Sequence, residues 1–181
     1  MTSQIVYRLV ANNSFLDIKQ FEEPVPTLAQ NEVLVRIKAV ALNYRDLVIS
    51  DGTYPEPVKD QLVPCSDGAG EVVDIGAAVS GVKKGDRVIG NFNLTHLYGF
   101  QLDRGQAQGG AVDGVLRQYI AIPEQAIAVV PKSANLSFPE MASLVCAGVT
   151  AWNAFYGNIP LKPGQVVLFQ GKYPKLVIFK I

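Results

Sequence analysis

The most constraining feature of the sequence is a nine-residue segment, 32–40, in which apolar and polar side chains alternate. Val33, Val35 and Ile37 fall on one side of an extended chain, whereas Glu32 and Arg36 fall on the other. This period of two is typical of a β-strand with one face in the core and the other near solvent. Because the backbone groups of a strand need partners, the chain must supply further strands to pair with this one.

Other short apolar runs flank this segment and are separated by turn residues. The predicted strands are Ile5–Val10, Glu71–Ile75, Arg87–Ile89, Val115–Ile122 and Ala126–Val130. Many short strands punctuated by Gly and Pro indicate an antiparallel barrel or sandwich over the first two-thirds of the chain. The polar segment 91–114 is predicted to be a long excursion loop, and loops of that length are usually functional or mobile.

The pattern changes after Pro131. Ser137 and Glu140 have the spacing of a capping box, which predicts the start of a helix. An apolar run, 141–156, follows and stops at Gly157, a residue common just after a helix C-terminus. The segment 165–170 is then almost entirely apolar, as strands covered on both faces tend to be. The sequence therefore predicts a β domain followed by the opening helix and strand of an α/β domain.

The composition excludes several classes of protein. Of 181 residues, 49% are hydrophobic, and 16 basic residues balance 16 acidic ones, so electrostatic capture of nucleic acid is not expected. No apolar run reaches the roughly 20 residues that span a bilayer, and the N-terminus lacks the features of a signal peptide. Cys65 and Cys146 are too far apart in sequence for a Cys-x-x-Cys metal site. We expect a soluble, cytoplasmic protein with no nucleic-acid or membrane partner.

Several short motifs follow one another in a specific order. They are Asn43-Tyr44-Arg45-Asp46-Leu47, Asp51-Gly52-Thr53-Tyr54-Pro55, Val63 to Gly76, Val82 to Val88, Cys146 to Ala151 and Leu161 to Leu168. Each motif alone is weak. In this order and spacing they closely resemble the medium-chain dehydrogenase/reductase superfamily, on its zinc-independent, quinone-oxidoreductase-like side. The resemblance covers about residues 4–171.

The resemblance implies a fold that is mainly β with α. A GroES-like β-barrel catalytic domain, residues 1–126, would be followed by the first helix and strand of a truncated α/β Rossmann domain, residues 127–181. It further implies that the full-length protein binds NADPH or NADH in the cleft between the two domains. A small-molecule substrate and a homodimer are implied in the same way, and the resemblance does not decide between the two cofactors.

The resemblance also bears on metal binding. Zinc alcohol dehydrogenases of this superfamily hold the catalytic zinc with Cys, His and Cys, and these positions fall on Asn43, Ser66 and Cys146. A catalytic zinc takes about three protein ligands plus water, so one thiol is too few. The structural zinc lobe of the family needs four cysteines in the region 91–114, which has none. We therefore predict that both zinc sites are absent and that Cys146 is a small buried residue.

Without zinc, other groups must stabilise the charge that develops on the substrate. By resemblance, the side chains at the substrate and nicotinamide end of the cleft are those of Asn43, Tyr44, Asp46 and Tyr54. A tyrosine or an amide would then hydrogen-bond the developing oxyanion as hydride arrives. Thr150 lies one helical turn beyond Cys146 and is expected, with Asn43, to approach the nicotinamide.

Plainer roles remain open for the same residues. Arg45 and Asp46 also fit a surface ion pair or a helix cap, and Tyr54 also fits simple packing in a turn. The hydroxyl of Thr150 also fits a hydrogen bond to a carbonyl of its own helix. Asp67 stands at the acidic position that supports zinc in relatives, and without a metal we interpret it as structural.

Two further features are predicted to have no catalytic role. His96, the single histidine, lies in the polar excursion and is interpreted as a solvated loop residue rather than a general base. The segment Gly68-Ala69-Gly70 is too short for a dinucleotide-binding fingerprint and precedes a strand rather than a helix. We interpret its glycines as allowing tight backbone turns.

The C-terminal residues depart from the family pattern. In relatives, the strand ending near Gly171 runs into a glycine-rich turn and a helix that hold the cofactor diphosphate. Residues 172–181 instead contain Pro174 and no glycine, so we expect no diphosphate site and a poorly active or inactive chain. Gly171-Lys172-Tyr173 is the translation of GGT-AAG-TAT, which contains the splice-donor sequence GTAAGT. The tail is therefore either a translated intron or a genuine C-terminus.

Two functions follow from these observations. The leading hypothesis is a zinc-independent NAD(P)H oxidoreductase that reduces a quinone, an activated alkene or a carbonyl by hydride transfer. The alternative is a non-catalytic GroES-like module that binds a partner or regulates a full-length subunit.

Overall fold

Strands predominate in the computed structural model, which describes residues 2–101, 105–170 and 176–180. The strands are β1 (Ser3–Leu9), β2 (Ile18–Pro24), β3 (Glu32–Ala41), β4 (Asp67–Ile75), β5 (Arg87–Gly90), β6 (Tyr119–Pro123), β7 (Ile127–Val129), β8 (Val166–Gln170) and β9 (Leu176–Lys180). The α-helices are α1 (Tyr44–Ser50), α2 (Phe138–Ser143) and α3 (Val149–Tyr156). The chain divides into two compact units, Met1–Cys146 and Ala147–Ile181.

A curled antiparallel sheet forms the centre of the first unit. Its strand order is β6-β3-β4-β5-β7, so β6 and β7 lie at opposite edges. Only the short 3₁₀ turn Glu124–Ala126 separates these two strands in sequence. Because three residues cannot cross a flat sheet of five strands, the sheet must curl until its edges approach each other. This agrees with the barrel-like β architecture predicted from the sequence.

The inside of the curl contains the core predicted by the alternation in β3. Val33 and Val35 are 0% and 2% exposed. They pack in a cluster whose other buried members are Cys65, Val72, Val82, Val88, Val115, Ile120, Ile122 and Ala126. Strand β3 pairs with β4 on one side and β6 on the other, so the predicted strand occupies the middle of the sheet.

The glycines of β4 correct one sequence interpretation. Gly68 and Gly70 lie within an extended strand and not in tight turns. A β-carbon at Gly70 would collide with the Arg36 carbonyl oxygen, and one at Gly68 would press against the side chain of Val115 at 3.0–3.2 Å. The pairing of β3 with β4 also shifts register between Ile37 and Ala39, beside Gly70. Close packing next to a bulge, rather than turn formation, explains these glycines.

An N-terminal hairpin, β1 with β2, lies beside the curled sheet. Its second strand has the polar sequence Ile-Lys-Gln-Phe-Glu-Glu-Pro and is largely exposed, so periodicity did not predict it. Arg8 of β1 bonds Glu23 across the hairpin and lies 3.3 Å from the carboxylate of Asp113. The pair with Asp113 ties the hairpin to the C-terminal end of the excursion loop.

The helix predicted after Pro131 begins where the capping box places it. The hydroxyl of Ser137 accepts a hydrogen bond from the backbone N–H of Glu140, whose carboxylate accepts in return from the backbone N–H of Ser137. Helix α2 continues through a π-helical turn, Leu144–Gly148, into α3. None of the described helices is long and apolar enough to cross a membrane.

The second unit contains α3 and a two-stranded antiparallel hairpin of β8 and β9. Strand β8 is the predicted apolar strand. Strand β9 lies in the segment 172–181, whose sequence departs from the family pattern. Residues 171–175, which include the proposed splice junction, lie outside the described residues.

Candidate functional site

The short helix α1 positions three of the predicted site residues. The backbone N–H of Asn43 donates to the Asp46 carboxylate at 2.8 Å, so Asp46 caps the helix it belongs to. The helix is held on the core by Ile49, which is 1% exposed and packs with Leu9 and Leu62. Of the plainer roles left open for Asp46, the helix cap is confirmed.

Asn43, Tyr44 and Asp46 line one cavity of about 530 Å³, here called the Asn43 pocket. Its remaining walls are mainly apolar and include Leu42, Leu47 and Leu116. Two polar atoms in these walls, Asn43 Nδ2 and Asp46 Oδ1, are buried and have no hydrogen-bond partner among the described residues. The pocket therefore offers one unpaired donor and one acceptor site in an apolar setting.

Cys65 lies in the same pocket and is unreactive for a physical reason. Burial raises the pKa of its thiol to about 12, and the neighbouring Asp46 carboxylate adds to the effect. Burial likewise raises the pKa of Asp46, although the Asn43 N–H and the charge of Arg45 oppose the shift. The thiol is therefore protonated near neutral pH, and Cys65 is not activated as a nucleophile.

Tyr54 lies in a different cavity of about 620 Å³, here called the Arg45 cleft. Arg45 Nε donates to Tyr54 Oη at 3.0 Å, and its guanidinium lies 5.0 Å from the centre of the Tyr54 ring and 4.8 Å from that of Phe92. The structure thus separates Tyr54 from the other three predicted residues. Arg45 does not form the surface ion pair with Asp46 that the sequence left open.

The excursion loop forms one wall of the Arg45 cleft. Gln101, Gly105, Ala107 and Ala111 line it, together with Phe92 at the start of the loop. His96 is half-buried, and its backbone N–H donates to the side chain of Asn93. The sequence identified the loop but not Arg45 or Phe92 as site residues.

Two of the three positions that bind zinc in relatives, Ser66 and Cys146, are joined by a buried carboxylate. Asp67 is 0% exposed and accepts from Ser66 Oγ at 2.6 Å and from the backbone N–H of Cys146 at 3.2 Å. Asp67 is therefore a structural acceptor, as expected. Cys146 is half-buried rather than buried.

These residues do not fit a Cys-His-Cys zinc site. They offer an amide, a hydroxyl already bonded to Asp67, and one thiol, whereas a catalytic zinc takes about three thiolate, imidazole or carboxylate ligands. Across residues 2–101, 105–170 and 176–180, no group of three or more His, Cys, Asp or Glu side chains is arranged to hold a metal ion.

Thr150 belongs to the second unit. It lies in the first turn of α3 with an exposed side chain. Its predicted approach to a nicotinamide stays a prediction, as do the catalytic roles of Asn43, Tyr44, Asp46 and Tyr54.

The comparisons with known proteins decide the family. Residues 29–132 match the family model described as the alcohol dehydrogenase GroES-like domain. The chain belongs to this family, within the medium-chain dehydrogenase/reductase superfamily. The resemblance to the medium-chain dehydrogenase/reductase superfamily and the mainly β, GroES-like fold are confirmed.

Individual members of the family show the extent of the match. The chain is 44% identical over 164 residues to a zinc-type alcohol dehydrogenase-like protein of Schizosaccharomyces pombe, covering 88% of this chain and 47% of that protein. A crystal structure of a protein assigned as an alcohol dehydrogenase from Sinorhizobium meliloti 1021 superposes with a TM-score of 0.76 at 36% identity, over 85% of this chain and 46% of that one. The crystal structure of an NAD-dependent alcohol dehydrogenase also superposes with a TM-score of 0.76. The two sequences are 28% identical, and the match covers 88% of this chain and 48% of that one.

The chain spans about half the length of the curated relatives it matches. The family and the fold therefore hold for the residues of this chain.

Proposed function

We propose that the protein acts as a zinc-independent NAD(P)H oxidoreductase that reduces a quinone, an activated alkene or a carbonyl compound. Its membership in an alcohol dehydrogenase family supports the reaction class. Zinc independence is supported by the residues at the positions where relatives bind zinc. Two of these three positions hold Asn43 and Ser66, and the Ser66 hydroxyl is already hydrogen-bonded to Asp67. The S. pombe relative is named as a zinc-type protein, whereas this chain has an amide and a hydroxyl at two of the three ligand positions.

The Asn43 pocket has the chemistry to contact the cofactor. A nicotinamide, when bound, supplies the hydride, and its carboxamide group has both a carbonyl acceptor and an amide donor. Asn43 Nδ2 and Asp46 Oδ1 are buried, unpaired groups of the complementary kinds. We therefore assign Asn43 to cofactor contact, and Asp46 to holding the Asn43 backbone through its 2.8 Å hydrogen bond. Thr150 is proposed as a cofactor contact from the family resemblance alone.

The Arg45 cleft has the chemistry to bind a small-molecule substrate. For hydride transfer, the reacting group of that substrate must reach from this cleft to the nicotinamide proposed at the Asn43 pocket. The volume of the cleft, about 620 Å³, is enough for a ring-sized molecule, and its walls combine aromatic and small aliphatic side chains with the polar side chains of Arg45, Glu56 and Gln101. The Tyr54 hydroxyl is the group we assign to donate a proton to the reduced substrate oxygen. Tyr44, 81% exposed beside the Asn43 pocket, is assigned to covering bound ligand. A cytoplasmic homodimer completes the proposal by analogy with the family.

Two measurements on the purified chain test this proposal. Metal analysis by mass spectrometry should find less than about 0.1 zinc per chain, because the ligand positions supply one thiol. Stoichiometric zinc that survives dialysis would refute zinc independence. As a matched control, the double variant N43C/S66H rebuilds the Cys-His-Cys set and should acquire zinc.

The second measurement is NADPH-dependent reduction of 2,3,5,6-tetramethyl-1,4-benzoquinone, with a fluorescence titration of NADPH alongside. We expect Y54F to lower the turnover at least tenfold with little change in NADPH affinity, and N43A to weaken NADPH binding. A stable complex with another chain on a sizing column, without any NADPH binding, would favour the non-catalytic module instead.

A further inference from the structure

The side chain of Arg45 is fixed from several directions at once. Its guanidinium lies between the rings of Tyr54 and Phe92, and Nη1 donates to the carbonyl oxygen of Gln108 at 2.9 Å. Gln108 is 0% exposed, and its own amide donates to Asn91 at 2.8 Å, so the acceptor belongs to a buried turn. A β-carbon at Gly110 would collide with Arg45 Nη2, which closes the remaining side. Arg45 therefore has one well-defined position.

This fixed arginine determines where the Tyr54 hydroxyl points. Arg45 Nε–H donates to Tyr54 Oη at 3.0 Å, so the phenol oxygen acts as the acceptor of that bond. A tyrosine hydroxyl rotates only about its C–O bond, and its hydrogen then turns away from the incoming donor. Tyr54 lines the cleft, so this hydrogen is available to an acceptor bound there.

Arg45 also places a positive charge beside the phenol oxygen. The partners that contact its guanidinium are neutral: a hydroxyl, two backbone carbonyls and two aromatic rings. Asp46, the adjacent residue in sequence, directs a carboxylate oxygen to the Asn43 N–H instead. A hydrogen bond from a cationic donor strengthens when its acceptor becomes anionic, so a Tyr54 phenolate would be stabilised in place.

We propose that Arg45 is the positioning residue for Tyr54, holding the hydroxyl proton toward the substrate and stabilising the phenolate left after its transfer. This inference rests on the proposed function, in which Tyr54 donates a proton. A bound nicotinamide would supply hydride to the substrate; the Tyr54 O–H bond would then break as an O–H bond forms on the substrate oxygen. The electron pair stays on Tyr54 Oη, which accepts the Arg45 Nε–H until water returns a proton.

The first test needs neither ligand nor cofactor. In ¹⁵N-arginine-labelled chain, the Arg45 Nε–H resonance is identified by its loss in Arg45→Lys. Removing only the hydroxyl, in Tyr54→Phe, should shift this resonance and speed its exchange with water at least about tenfold. Tyr98→Phe, at an 89% exposed tyrosine of the excursion loop, is the matched control and should change neither. An Nε–H resonance that is insensitive to Tyr54→Phe overturns the proposal.

The second test measures whether Arg45 acts through Tyr54. The probe is 2,3,5,6-tetramethyl-1,4-benzoquinone, a neutral diketone, titrated into the chain and followed by NMR. Tyr54→Phe and Arg45→Met should each weaken binding about tenfold, and the double variant should lose no more than about twofold beyond either single one. The control is Arg36→Met, which removes a half-exposed arginine of β3 that pairs with Glu71 of β4. It should leave the affinity for the quinone unchanged.

The outcomes separate this inference from the proposed function. Additive losses, about a hundredfold in the double variant, would mean that Arg45 contacts the ligand directly and would overturn its positioning role. If the quinone does not bind the wild-type chain although Tyr54→Phe alters the Arg45 resonance, the substrate assignment fails and the positioning stands. Should Arg45→Met not fold, Arg45→Lys replaces it, because lysine keeps the charge but lacks the planar group that stacks between two rings.

Discussion

At the scale of single residues, Asp46 shows how burial and hydrogen bonding oppose each other. Its pKa is raised above 3.8 chiefly by burial, so the folded chain retains this proton to a higher pH than the unfolded chain. Where the folded state binds more protons, stability falls as pH rises. Relative to Asp46→Asn, which keeps an acceptor for the Asn43 N–H but does not titrate, the wild-type chain should therefore lose stability as pH increases above about 4.

Urea unfolding of both proteins between about pH 3.5 and 7 measures this difference. Asp74→Asn provides a control of opposite sign, because Lys84 lowers the pKa of the Asp74 carboxyl. For this pair, the wild-type chain should be more stable than Asp74→Asn near neutral pH, and this difference in the free energy of unfolding should disappear as pH falls. A difference between wild type and Asp46→Asn that does not vary with pH would contradict the assignment of Asp46 as a buried carboxyl with a raised pKa.

The motif around residue 43 correctly indicated that Asn43 and Asp46 line a pocket, but it did not indicate the role of Arg45. Asn43 and Asp46 are three positions apart, a spacing that places both on one face of a helix, and they share the Asn43 pocket. Arg45 is adjacent in sequence, but successive helical residues diverge by about 100°, so it enters the other cavity. Its partners Phe92 and Gln108 lie 47 and 63 positions away, and no local pattern reports such contacts.

At the scale of secondary-structure elements, the capping box of α2 leads to a quantitative expectation. Ser137→Ala removes the hydroxyl that accepts from the Glu140 N–H and should lower the free energy of unfolding by about 1 kcal/mol. Ser143→Ala is the matched control, since the Ser143 hydroxyl only bonds the Glu140 carbonyl within the same helix. That substitution should be neutral or slightly stabilising. Equal effects of the two variants, measured by urea unfolding, would show that capping is not what Ser137 contributes.

Elements with a strong local signature were predictable, and the others depend on distant contacts. The alternation in β3 and the capping box of α2 are local, and both elements begin at the predicted residues. Strand β2 is polar and exposed, and is recognised only through its pairing with β1. Helix α1 has seven residues, too few for a clear periodicity, and the π-helical turn 144–148 has no sequence signature at all.

At the scale of the whole molecule, topology followed from the family resemblance rather than from periodicity. Strands β3 and β6 pair although they are separated by about 80 residues, and apolar alternation does not say which strand pairs with which. The same holds for the two cavities. The Arg45 cleft combines residues of the excursion loop with residues that precede it, and the Asn43 pocket combines residues of the N-terminal hairpin with α1 and the segment after the loop. The identities of Asn43 and Tyr54 were predictable, but the existence of the two cavities required the structure.

The distribution of the core predicts how much of the chain the first unit needs in order to fold. Every buried member of the three core clusters precedes residue 143, and the last of them, Met141 and Ala142, belong to α2. A chain of residues 1–157, which keeps the helix to its terminal Gly157, should therefore unfold with a free energy within about 1 kcal/mol of the full chain. A chain of residues 1–136 loses Met141, which is 0% exposed, and should be destabilised by at least about 3 kcal/mol. Parallel urea titrations of the three chains, followed by circular dichroism, decide the matter. If residues 1–157 fail to fold while the full chain folds, then residues 158–181 stabilise the curled sheet and the core is not confined to the first unit.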